Sequence, residues 1–217
     1  MASSGPGSGG PGGTPGTATV RRIAHPDAAG LAKALEPPTT LVVEEGLADT
    51  DTRPTEIRPP SSLGLVLSAR TVFGLDVVSL FLNAIATRHP PARTRGHDLE
   101  VALQEALANA VIHGSLEVSS ALREDPDRFA LYCQLVDERL VDPHFGGRAV
   151  AVRAEWDQTG LRLSVEDQGG GYDPATLGPA VPSDIAKSGR GLQMIAALAN
   201  AVAFENRGRR LIMSFAA

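Results

Sequence analysis

The sequence holds little of what disulfide-stapled, nucleic-acid-binding or membrane proteins depend on. Of its 217 residues one is a cysteine, Cys133, so no intramolecular disulfide can form and a reducing, cytoplasmic setting is expected. Cys133 lies in the apolar run FALYCQLV, which gives it the reading of a small core residue, with nothing beside it to activate a nucleophilic thiol. Positive charge is short: 20 Lys and Arg against 25 Asp and Glu leave a net charge of −5, and Arg209-Arg210 is the tightest basic pair near the C-terminus. A nucleic-acid partner held by backbone electrostatics is therefore not expected. Long uninterrupted apolar runs are also missing. The most apolar stretch, residues 63–86, contains Arg70 and Asp76, which would be costly at a bilayer centre, and no basic-then-apolar leader opens the chain. No membrane association is expected.

What is present divides the chain in three. Residues 1–19 are Gly, Pro, Ser, Thr and Ala almost throughout and read as a disordered tail that cannot bury enough to offset its ordering entropy. Residues 20–62 are a region of unknown role, with a short helix expected over 28–35 and a strand over 40–44 among several prolines. Residues 63–217 carry the stronger periodicities. Val66, Arg70, Phe73, Val77, Phe81 and Ile85 are spaced by three or four, predicting a helix over 63–88 that Gly64 and Gly74 weaken. An inserted segment at about 115–147 holds a further helix started by Asp125-Pro126, with Phe129, Cys133, Val136 and Leu140 as its apolar face. After it the period changes to two: Val150, Val152, Ala154 and Trp156, then Leu161, Leu163 and Val165, predict an antiparallel hairpin. A short helix over 191–200 and strands over 202–206 and 211–215 complete the chain. Helices before a run of antiparallel strands predict an α+β fold, a two-layer sandwich.

The chain is organised around residues 99–114, LEVALQEALANAVIHG. Leu99, Leu103, Ala106 and Ala110 mark one helix face and Gly114 a stop. Along another stripe Glu105, Asn109 and His113 follow at steps of four, which keeps them nearly in line on a regular helix. Two later stretches weigh against a merely solvated face. In VEDQGGGYDP, Asp167 leaves a strand end and Gly169, Gly170 and Gly171 follow. Glycine there allows close backbone approach, and an ionised Asp accepts hydrogen bonds from an amino group such as that of adenine, although a plain Gly-rich turn would read the same. In AKSGRGLQMIAALAN, Gly189, Arg190 and Gly191 open a helix whose free N–H groups suit an anion, with Lys187 and Arg190 adding positive charge. That stretch matches neither a Rossmann fingerprint nor a Walker-type P-loop.

In this order and combination the three motifs resemble the GHKL family of ATP-binding domains. They are Glu105 with Asn109, Asp167 with Gly169 and Gly171, and Gly189 with Gly191. The stretches ALANAVIHG and SGRGLQMI are most similar to its anti-sigma-factor serine kinase branch. The resemblance implies a mostly antiparallel sheet covered by helices on one face, binding ATP with Mg²⁺. It implies that Asn109 is the metal ligand and Glu105 the general base, that Asp167 reads the adenine amino group, and that Gly169 and Gly171 allow close approach. Gly189, Arg190 and Gly191 would cradle phosphates, and residues 172–188 would form a lid. His113 stays open between a nucleotide contact and a helix-end polar residue.

Two features depart from that branch: the connection after the first motif is more than thirty residues long, and Gly208-Arg209-Arg210 stands where Gly-Thr is usual. The expected activity is that of an ATP-dependent serine/threonine kinase acting on a protein partner, an anti-sigma antagonist or a sigma factor, and self-association as a homodimer is left open. An ATP-binding module that sequesters a partner without phosphotransfer is the alternative. A histidine kinase catalytic domain is weaker, since no hairpin with a phosphoacceptor His precedes the motifs.

Overall fold

The computed structural model describes residues 18–47, 61–171 and 190–217. The expected N-terminal tail, the lid stretch and Gly189 lie largely or wholly outside them.

The described residues build one seven-stranded sheet in the order β1-β2-β3-β4-β5-β7-β6. β1 (Val20–Ile23), β2 (Leu41–Glu44) and β3 (Ser62–Ser68) pair in parallel. β4 (Ala149–Trp156), β5 (Gly160–Glu166), β6 (Ala201–Glu205) and β7 (Arg210–Ala216) extend it from β3 by antiparallel pairing throughout. The sheet is thus mostly antiparallel, as expected, with a parallel margin supplied by the region of unknown role. Helix α1 (Ala28–Ala34), capped by Asp27, links β1 to β2. Arg88 clamps this margin to the helical layer by donating to the carbonyls of Leu35 and Thr39 at 2.7 and 2.8 Å.

The helix predicted over 63–88 is corrected. Its first third is β3, buried along its whole length; only α2 (Ala69–Gly74) and α3 (Val77–Arg88) are helical. A central strand covered on both faces has no alternation to announce it, so SLGLVLS is as apolar as a buried helix. Leu63, Leu65 and Leu67 face the main core, whereas Val66 faces a small cluster with Leu41, Val43, Ala149 and Ala151 on the other side. Asp76 starts α3 by accepting from the Ser79 N–H at 3.1 Å.

Helix α4 (Gly96–Ala108) buries Leu99, Ala102, Leu103, Ala106 and Leu107 against the sheet. The inserted segment contributes α5 (Ser120–Glu124), α6 (Phe129–Val141) and α7 (Pro143–Gly146). Val136 and Leu140 of α6 are buried as predicted, but Cys133 is exposed and Phe129 is 49% exposed. The apolar face there is narrower than the sequence implies, because α6 lies at the surface and sinks only its C-terminal half. Helix α8 (Arg190–Leu198) packs along α4 through Ile195. The hairpin alternation holds: Val150, Val152, Ala154, Leu161, Leu163, Val165, Leu211, Met213 and Phe215 all join the main core. No helix among the described residues is long and apolar enough to cross a membrane.

Candidate functional site

Past Ala108 the helix does not continue regularly. Residues Asn109–Ser115 form a wide turn, and its end is marked by the Leu116 N–H donating to the Val111 carbonyl, five residues back, at 2.8 Å. Such π-type widening inserts a residue into the helical repeat, often at functional sites. The straight stripe expected of Glu105, Asn109 and His113 is therefore corrected. Glu105 and Asn109 are one regular turn apart, the Asn109 N–H bonding the Glu105 carbonyl, while His113 lies within the widened turn. All three nevertheless border one cleft of about 1080 Å³, together with Asp167, Gly171 and Gly191. That volume is ample for a nucleotide.

At one end of the cleft Asp167 leaves β5. The residue is 8% exposed, and its carboxylate accepts from the Gly169 N–H at 2.8 Å. Burial, opposed in part by that hydrogen bond and by Arg209, pushes its pKa up to about 6. The carboxyl lies directly over Gly114, where any side chain would overlap it. A Cβ at Gly169 would likewise overlap the Gly114 carbonyl. The close approach expected of Gly169 is thus made toward Gly114, while Gly170 and Gly171 border the cleft. Gly171 adopts φ +68°, a conformation glycine favours. By its place in the sequence Gly114 is only a helix stop. The packing between the first and second motifs is what makes it a site residue, and only its position directly after His113 hinted at that.

At the other end Gly191, the second residue of α8, lies against the Glu105 carboxylate, and a side chain there would push that carboxylate aside. Arg190 borders the cleft beside it; Gly189 falls outside the described residues. Glu105 and Asn109 are half-buried, and neither side chain makes a hydrogen bond to another described residue. They are polar groups on the lining of the cleft. Among the described residues no cluster of three or more His, Cys, Asp or Glu could hold a metal by itself. An ion here would have to share its shell with phosphate oxygens and water, which suits Mg²⁺ and the single amide oxygen of Asn109. His113 donates from Nδ1 to the Val118 carbonyl at 2.6 Å, since a carbonyl can only accept, and this directs Nε2 away from that bond.

The Gly208-Arg209-Arg210 turn divides its two arginines. Arg209 borders the cleft. Arg210 is committed to the fold: its Nε and Nη2 donate to the buried Glu166 at 2.8 and 2.7 Å, and Nη1 pairs with Glu205 at 3.2 Å. Asn206 donates to the other Glu166 oxygen at 2.5 Å, so this network fixes the β6–β7 turn beside Asp167.

A search of curated proteins found no match. Comparison with protein families matches residues 67–215 to the histidine kinase-like ATPase domain, over a span that contains both ends of the cleft. With an α+β sandwich of this topology, the chain belongs to that GHKL-type family of ATP-binding domains.

Proposed function

We propose that this protein binds Mg-ATP in the cleft and transfers the γ-phosphoryl group to a serine or threonine hydroxyl of a protein partner, an anti-sigma antagonist or a protein like it. One observation carries the proposal. Glu105 and Asn109 stand one turn apart, unbonded to other described residues, at the end of the cleft where Gly191 opens a helix. Asp167 accepts the adenine amino group at the opposite end, Asn109 contributes its amide oxygen to Mg²⁺, and Arg190 with the start of α8 faces the phosphates. Magnesium, when bound, neutralises charge on the β- and γ-phosphates. Glu105 takes the proton from the attacking hydroxyl. A bond then forms from that oxygen to the γ-phosphorus, the bond to the β–γ bridging oxygen breaks, and ADP departs with the electron pair.

Phosphoryl transfer draws mainly on positioning and charge stabilisation, so a general base supplies roughly 10²–10⁴-fold of the rate. Glu105→Ala is expected to bind Mg-ATP nearly as well as the parent and to transfer phosphate slower by about that factor. A labelled-ATP assay with candidate antagonist domains, beside a no-partner control for hydrolysis, measures it. Equal transfer by both proteins removes Glu105 from the reaction.

A second reading, an ATP-holding module that sequesters its partner without phosphotransfer, is favoured by the inserted helices. Phe129, Leu131 and Val141 are 49%, 42% and 73% exposed on α6. Tight ATP binding by the parent, with neither transfer nor hydrolysis in that assay, would select it.

A further inference from the structure

The inserted segment reaches back to the cleft. Residues 115–119 are fastened to the body of the domain, with Leu116 fully buried and Val118 2% exposed. Arg139 donates to the Leu116 and Glu117 carbonyls at 2.5 and 2.8 Å, and Arg148 to the Ser115 carbonyl at 2.9 Å and the Glu117 carboxylate at 2.7 Å. Leu122 then seats α5 on the core. The following residue, Arg123, borders the same cleft as Asn109, Asp167 and Arg190.

The arginines of this neighbourhood are used differently. Arg139 and Arg148 are spent on the fastening, whereas Arg123 makes no hydrogen bond or ion pair with any described residue. It is an exposed cation on a short anchored helix, at the rim of a cleft, and no anion among the described residues is bonded to it.

We propose that Arg123 is a nucleotide-binding residue that donates to a phosphate oxygen, so that the insertion completes the ATP site. This rests on the nucleotide reading above. A guanidinium has five donors and no acceptor, so it cannot serve the adenine amino group, and its fork matches phosphate geometry. The segment carrying α5 is tied at the Gly114 end through His113 and Val118, near Asp167 and away from Gly191. The phosphate within its reach is accordingly the one nearest the nucleoside, and ADP is held by it as ATP is.

The test is calorimetric titration of ATP, ADP and adenosine into the 217-residue chain and its R123A and R123K variants. R123A is expected to lose about tenfold to a hundredfold in affinity for ATP and ADP alike, the worth of one charge-assisted hydrogen bond, and nothing for adenosine. R123K, which keeps the charge without the fork, should fall between; if R123A does not fold, the same comparison of ATP with adenosine on R123K decides. Unchanged ATP affinity in the variants, or an adenosine loss as large as the ATP loss, overturns the proposal. A parent that binds no nucleotide overturns the ATP reading, and this inference with it; a parent that binds beside an R123A that binds equally overturns this inference alone.

Discussion

The two ends of the cleft are built on opposite terms. At the Gly114 end everything is packed before any ligand arrives: Asp167 is buried over a glycine, bonded to the Gly169 N–H, and braced by the β6–β7 turn that Glu166 and Arg210 lock. At the Gly191 end Glu105 and Asn109 are half-buried and unbonded to other described residues, and Arg190 stands open beside them. The first arrangement suits a group that is always presented in one way, such as a base edge. The second suits phosphates, a metal ion and a proton that must come and go. A buried carboxylate is costly to hold, so the rigid end carries a stability cost that the open end does not.

That contrast can be broken from either side. The largest effect is expected for Gly114→Ala, which places a methyl group where the Asp167 carboxyl lies. Overpacking of this kind costs about 1–3 kcal/mol of stability, and displacing the carboxyl should cost ATP at least the tenfold to hundredfold worth of its charged hydrogen bond. Thermal melting and nucleotide titration measure the two losses, and a variant that retains both values shows the packing to be loose. Asn109→Ala comes next. No described residue hydrogen-bonds to that half-buried side chain, so melting should change little while the gain in ATP affinity on adding Mg²⁺ disappears. A variant still strengthened by Mg²⁺ as the parent is would free Asn109 from the metal.

A third effect, visible only across a range of pH, is a dependence of stability on pH. The folded-state pKa of Asp167, about 6, lies above the ordinary value of 3.8. Between the two, the folded chain holds a proton that the unfolded chain has lost. The resulting contribution to stability is fully present below about pH 4 and is lost as pH rises through about 6, up to about 3 kcal/mol. Asp167→Asn removes this dependence, so the stability of the variant relative to the parent should rise between pH 4 and 6 and level off above. Denaturant melts of both proteins across that range test the sign, and a difference that stays flat contradicts it.

How much of this was legible in the sequence follows from the same physics. The β4–β5 hairpin could be read because β5 has one buried face toward the helices, so Leu161, Leu163 and Val165 alternate with Arg162 and Ser164, and the second half of β4 alternates in the same way. β3 could not, since both of its faces are covered and the pattern has no polar phase. β1 was missed because an edge strand of four mostly exposed residues, VRRI, has no apolar rhythm. At the site, Glu105, Asn109, Asp167, Arg190 and Gly191 were marked by residue type and order, and the fold brings them to one cleft. The wide turn at Asn109–Ser115, the service of Gly114 to Asp167 and the approach of Arg123 depend on contacts between distant segments, which no local pattern encodes.

In the proposed function Asp167, buried and fixed in advance, reads the adenine of ATP. Titrating Mg-ATP and Mg-GTP into the parent and into Asp167→Asn at pH 7.5 tests it most directly, because the amide can turn a donor toward the adenine amino group where the carboxylate could only accept. The parent should bind ATP well and GTP poorly, and the folded variant should lose about tenfold to a hundredfold for ATP. A folded variant that binds ATP as tightly as the parent would contradict the account.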